Sequence, residues 1–307
     1  MLLTTAKASQ ELKGLLEKEK LSVFVGSGVS VPQPSGLPTW DGFVSKYIEI
    51  CEALSKALPA DMKFDAVVND ARNYKDHDAI RTISALKCAV RKCEKKAAER
   101  NLSLDEFTEK IGNIFKGRQH NILHELIVST NFKYIITSNY DDLLEAAVEH
   151  LNISSLRLRS FSYNEPEKIS ASIYSELPMI IHAHGKAGKV SLGEMVITSD
   201  DYLGIMKYNH GFRMTIDSIF MQNSILFVGY GGSDPHFEDI ISDAVYSLRW
   251  SENNAGLPRY YIVLRKDKSG PVIEEIKNSK RTSIIAIDDY NELEPFLRGL
   301  KDCYPRL

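Results

Sequence analysis

Two glycine turns, an asparagine and a histidine, each at the end of an apolar run, are the residues of this chain best placed to do chemistry. Leu21-Ser-Val-Phe-Val runs into Gly26-Ser27-Gly28-Val29-Ser30, and Ser224-Ile-Leu-Phe-Val runs into Gly229-Tyr-Gly-Gly-Ser233-Asp234-Pro235. Glycine lets a backbone turn sharply and approach a ligand closely. A helix that starts beyond such a turn offers unpaired N–H groups and its positive end, which suits phosphate. Between the two turns, Tyr134-Ile-Ile-Thr137 leads into Ser138-Asn139-Tyr140-Asp141, and Pro178-Met-Ile-Ile-His182-Ala-His184 ends in Gly185. An asparagine amide can donate and accept, and an imidazole exchanges protons near neutral pH.

Each residue also has a plainer reading. The first turn lacks the third glycine of a G-x-G-x-x-G fingerprint, with Val31 in its place. Asn139 or Asp141 can simply cap the following helix. His182 reads as a core histidine held by hydrogen bonds, whereas His184 falls at the strand's rim.

The elements that must position these groups alternate. Residues 5–20 carry Leu12, Leu15 and Leu16 as the stripe of a surface helix. Trp40 to Leu58 places Phe43, Val44, Tyr47, Ile48, Cys51 and Leu54 at helical spacing, and Pro59 ends that run. Residues 59–130 show helical periods and no convincing strand, which predicts a helical insertion forming a small lobe within a single domain over 1–307. Residues 152–177 read as a loop-rich connection around one short strand. Helices are predicted over 199–209, 212–222, 237–248, 272–278 and 290–300, with strands at 260–264 and 283–287. The alternation predicts an α/β fold: a Rossmann-like, mostly parallel sheet with helices on both faces, binding ligand at the carboxyl edge of its strands.

Composition narrows the partners. A net charge of −3 supplies no basic field for nucleic acid. The Lys/Arg-rich segment from Lys87 to Arg100 lacks interleaved aromatics and reads as a solvated helix face. Cys51, Cys88, Cys93 and Cys303 form no C-x-x-C pair, so reduced thiols are expected and zinc is not. His120 and His124 stand four apart without completing H-E-x-x-H, so no metal is assigned. No stretch approaches the ~18 apolar residues of a membrane span, and the N-terminus lacks a signal-peptide core, so a cytoplasmic location is expected.

Taken together, four stations resemble the sirtuin, or silent-information-regulator, family. G-A-G-x-S followed by G-I-P-x-F-R is similar to Gly26-Ser27-Gly28-Val29-Ser30 and Gly36-Leu37-Pro38-Thr39-Trp40. T-Q-N-x-D is similar to Thr137-Ser138-Asn139-Tyr140-Asp141, H-G to His184-Gly185, and the late glycine-serine turn to Gly229 through Ser233. The resemblance covers roughly residues 20 to 265. It departs from the protein deacetylases in a longer loop from Ser30 to Gly36, in Trp40-Asp41 for Phe-Arg, in Ser138 for Gln, and in missing zinc-binding cysteine pairs. These departures resemble the bacterial branch, whose members destroy NAD during phage infection.

The resemblance implies an NAD glycohydrolase that releases nicotinamide and ADP-ribose through an oxocarbenium-like transition state, with NAD as substrate and water as acceptor. It implies catalytic roles for Asn139, orienting ribose or water, and for His184, as general base. Gly26, Ser27, Gly28 and Ser30 would cradle the pyrophosphate, with Thr137 in the second station. Asp141 would contact the nicotinamide carboxamide, Trp40 would wall the pocket, and Gly229, Ser233 and Asp234 would lie toward the adenosine side. An NAD-dependent deacylase and a non-catalytic NAD- or ADP-ribose-binding subunit are the alternatives. The expected setting is anti-phage defence by NAD depletion and abortive infection. Control would come from homo-oligomerisation and a second protein, a HerA-type ATPase or another defence sensor, with nucleic acid engaged only through that partner.

Overall fold

The computed structural model describes residues 2–99, 105–153, 158–187, 195–231, 234–248 and 257–306. Eight strands form one sheet: β1 Leu2–Leu3, β2 Leu21–Val25, β3 Tyr134–Thr137, β4 Arg159–Ser162, β5 Met179–His182, β6 Ser224–Val228, β7 Tyr260–Arg265 and β8 Thr282–Ile287. Their order is β1-β8-β7-β6-β2-β3-β5-β4 and every pairing is parallel. The helices are α1 Thr5–Glu17, α2 Trp40–Ala57, α3 Asp65–Tyr74, α4 Ala79–Glu99, α5 Asp105–Gly112, α6 Ile122–Ser129, α7 Leu143–His150, α8 Pro166–Tyr174, α9 Ser199–Leu203, α10 His210–Gln222, α11 Pro235–Leu248, α12 Pro271–Ser279 and α13 Leu293–Lys301. The chain is therefore α/β and Rossmann-like, as its alternating pattern requires. Among the described residues no helix is long and apolar enough to cross a membrane.

Strand alternation sorts the core. Val23 and Val25, Ile135, Leu226 and Val228 face one cluster shared with α1, α6, α7 and α13. Phe24, Ile136, Ile225 and Phe227 face the other, shared with α8, α10 and α11. Interior strands covered on both sides carry apolar side chains on both faces, which is why runs such as Val23-Phe24-Val25 and Ile225-Leu226-Phe227 show no polar alternation.

The helices between β2 and β3 divide by their buried faces. Those of α3, α4 and α5 share a third cluster with α2, which contributes Phe43, Val44, Tyr47, Ile48 and Cys51. α6 instead turns Leu123, Leu126, Ile127 and Val128 under the sheet. Where 152–177 reads as loop from sequence, the structure has α8, begun by Pro166 and burying only Ile169 and Ser172. So narrow a stripe gives little periodic signal. The 199–209 helix is shorter than expected: α9 gives way to a π-helical turn over Gly204–Tyr208.

The topology makes one crevice. β2 lies between β3 and β6, so the chain leaves β2 on one side and returns on the other. The carboxyl ends of β2, β3, β5 and β6 meet at this reversal, where open α/β sheets bind ligands.

Candidate active site

A cleft with a cavity volume of about 140 Å³ opens at those strand ends. Gly26, Ser27 and Ser30 line it after β2, Asn139 and Asp141 after β3, His184 after β5, and Gly229 and Asp234 after β6, with Trp40 on the wall. Ile80 and Phe115 reach it from the helical insertion, and Tyr202 from α9. Gly28 and Thr137 do not line it, and Ser233 lies outside the described residues.

The glycine turns are seated on one another. The Gly26 and Gly28 N–H groups donate to Val228 O and Gly229 O, each at 2.9 Å. A Cβ on Gly26 would stand 2.5 Å from Gly229 O, and one on Gly28 would stand 2.9 Å from Gly229 Cα. Gly229 itself has φ +64°, and its Cβ would meet Val29 N at 2.5 Å. These glycines let one turn lie on the other, backbone to backbone. Gly26 also lines the cleft, and the N–H groups of Gly26 and Gly28 are taken up by this seat.

Around Ser30 the side chains interlock. Its hydroxyl donates to Asp141 Oδ2 at 3.0 Å and accepts from Asn139 Nδ2 at 3.2 Å. His124 Nε2 lies 3.1 Å from the same oxygen. His124 Nδ1 faces both the Asn121 N–H and Asn121 Oδ1; with the Ser30 proton given to Asp141, Ser30 Oγ is left as acceptor toward Nε2. Burial holds His124 down to about 4, so that ring is neutral. Asn121 in turn caps α6 and donates through Nδ2 to Val29 O and Ser35 Oγ, pinning the loop after β2.

Asn139 is fixed from behind. Its N–H donates to Thr137 Oγ1, which donates to Val25 O, and its Nδ2 also reaches Gly26 O at 3.3 Å. Thr137 is thus a positioning residue. Among the described residues Asn139 Oδ1 is buried without a partner, in a residue that lines the cleft. Asp141 does accept from Leu143 N–H at the start of α7, the capping role open to it from sequence. Burial raises its pKa to about 6.

The opposite wall is looser. His184 Nε2 lies 3.4 Å from His236 Nδ1 and 3.6 Å from Asp234 Oδ2, and the two imidazoles stack at 5.7 Å. Asp234 Oδ1 accepts from His236 N–H at the start of α11, and Tyr202 Oη stands 3.5 Å from Oδ2. Among the described residues His236 Nε2 is buried without a partner. Burial pushes both histidines down to about 3 and Asp234 up to about 6. His184 is therefore neutral at pH 7 and weaker as a base than its residue type suggests; a proton placed on it needs the Asp234 carboxylate nearby.

His182 faces away from this cleft. Its Nε2 bonds Glu145 Oε1 at 2.8 Å and its Nδ1 lies 3.3 Å from Asn139 O, as a core histidine would. Sequence reasoning missed His124, His236 and Tyr202. The Asp-Pro-His start of α11 was the one available cue for His236, since a helix beginning there points its first residues at the cleft.

A family model described as the SIR2-like domain matches residues 133–287. NAD(+) hydrolase ThsA of Enterococcus faecium is 24% identical over 322 residues, covering 95% of this chain and 57% of that protein. NAD(+) hydrolase ThsA of Acinetobacter baumannii is 23% identical over 302 residues, covering 93% of this chain and 54% of that protein. The chain spans little more than half the length of these relatives.

Proposed function

The chain belongs to the SIR2-like domain family, and on that premise we propose that it is an NAD glycohydrolase, converting NAD and water to nicotinamide and ADP-ribose. One observation carries the reading: Asn139 presents a buried, unpartnered amide oxygen to a cleft whose other wall holds His184. That oxygen is an acceptor waiting for a hydroxyl or a water, held so that little reorganisation is needed. In the reaction water adds to the ribose anomeric carbon, and the carbon–nitrogen bond breaks with its electron pair leaving on nicotinamide. Positive charge builds on the sugar as that bond lengthens, and Asp141 and Asp234, once ionised, supply opposing potential. His184 takes the proton released by the water, with Asp234 stabilising the imidazolium. Trp40 walls the pocket, Asp141 meets the carboxamide, and Gly229 lies toward the adenosine, the side to which the sequence resemblance also assigns Ser233.

The physiological reading is NAD depletion in anti-phage defence, ending in abortive infection in the cytoplasm. Homo-oligomerisation and a second protein, a HerA-type ATPase or another sensor, restrain and trigger it. The names of the relatives support the chemistry, and the sequence resemblance supports the setting. The test is nicotinamide release from NAD by the purified protein, alone and with neighbouring gene products. Asn139→Ala and His184→Ala should each abolish it; wild-type rates in both would remove the residue assignments.

One observation favours a second reading. Burial lowers the basicity of His184, as suits a subunit that binds NAD or ADP-ribose without turnover. Calorimetric binding with no nicotinamide released under any activating condition would select that reading.

A further inference from the structure

Away from the cleft, His120, Glu125 and His150 converge where α6 begins and α7 ends. We propose that these three side chains bind a single divalent transition-metal ion, zinc in the first instance. His120 precedes the α6 cap Asn121, Glu125 lies in the first turn of α6, and His150 is the last residue of α7. His120 Nε2 stands 3.0 Å from Glu125 Oε1, and His150 Nε2 stands 3.8 Å from that same oxygen. The three donor atoms all lie within 4.8 Å of one another. Tetrahedral zinc, with ligands at roughly 2.0–2.2 Å, holds its donor atoms about 3.3 Å apart. The observed spacings bracket that value, so small side-chain adjustments complete the site.

The donor chemistry selects the ion. Two imidazoles and one carboxylate suit zinc, cobalt or nickel, whereas magnesium and calcium favour all-oxygen sets. The side chains are 18%, 26% and 61% exposed, which leaves an open side for water as a fourth ligand and a path for the ion. Among the described residues, no other group of three His, Cys, Asp or Glu side chains meets in this way. The site owes nothing to the cysteine pairs that hold zinc in the protein deacetylases, and it does not depend on NAD cleavage.

Its position gives the ion a consequence. His120 is bonded directly to Asn121, which holds the loop at Val29 and Ser35, and His124 one turn on contacts Ser30. An ion clamping His120 and Glu125 to α7 stiffens the segment from which the Ser30 network is held.

The test is calorimetric titration of the chelator-treated protein with zinc chloride, beside His150→Ala and Glu125→Gln. His150 is largely exposed, so its removal leaves folding intact, which circular dichroism checks. One equivalent should bind the wild type, and each variant should weaken binding at least tenfold, since losing even a group that only orients a ligand costs that much. Cobalt should give a visible absorption band in the wild type that His150→Ala lacks. Hydrogen exchange at residues 119–125 should slow on adding zinc. No saturable one-equivalent binding, or equal affinity in His150→Ala, would overturn the proposal. The first outcome leaves the cluster as an ion pair, and the second places the zinc elsewhere, for instance at the exposed thiols Cys88 and Cys303.

Discussion

The two walls of the cleft are built differently. Around Ser30, four side chains from β2, β3 and α6 meet at 3.0 to 3.2 Å and use the hydroxyl's donor and both its acceptor sites. Around His184, the nearest polar atoms stand at 3.4 and 3.6 Å, and a neighbouring imidazole nitrogen has no partner. A saturated network fixes geometry, because losing any member strands the others. A network of long contacts can shorten when a ligand arrives, as catalytic hydrogen bonds often do. Under the proposed function, the first wall is framework and the second moves protons, with Asn139 joining the framework to the cleft.

Substitutions can break or sharpen that contrast. The largest effect is expected at their junction: Asn139→Ala should lower nicotinamide release about 1,000-fold in a folded protein, the scale of losing a preorganised polar group. Gly229→Ala should cost about 3 kcal/mol in chemical denaturation, since it needs both a left-handed φ and space that Val29 N occupies. Ser30→Ala should cost about 2 kcal/mol by stranding Asn139, Asp141 and His124. If it proves neutral, the framework reading fails. His236→Gln should do the reverse, lowering turnover about tenfold with stability held within about 1 kcal/mol; a large loss of stability there would make both walls framework.

The pH response is the mildest test. With His184 and His236 neutral above about 3, and Asp141 and Asp234 ionising at about 6, activity should rise as pH passes through 6. Stability carries two opposed contributions. His124, His184 and His236 take up protons on unfolding, so their contribution is full above about 6.5 and is lost as pH falls through about 4 for His124 and about 3 for the other two. The two carboxylates have raised folded values, so they favour the folded state at low pH and withdraw that support between about 3.8 and 6. Denaturant midpoints across pH 4 to 7 in His124→Gln and Asp234→Asn should move in opposite senses relative to the parent.

How much of this was legible depended on range. The interior strands were readable because two-sided burial leaves an unbroken apolar run, as at Val23-Phe24-Val25. Asn139 and His184 were readable because each follows such a run directly. His124 was not: its spacing from His120 gave no assignment, and in the fold one ring turns into the core and the other toward the surface. Only the packing of α6 against the β2 turn decides that. The grouping of α2 with α3 to α5 was hidden for the same reason, since an apolar stripe states that a face is buried and not against what.

The backbone seating of Gly26 and Gly28 on Gly229 has a consequence in time. Roughly two hundred residues separate the partners, so the first turn is made early in synthesis and its seat emerges late. Domains take shape from the N-terminus as the chain is extruded, and contacts this distant form slowly. A nascent chain halted before β6 carries Asn139 and His184 but lacks the floor that shapes the space between them. Any activity housed in this cleft is thus withheld from unfinished chains by topology alone.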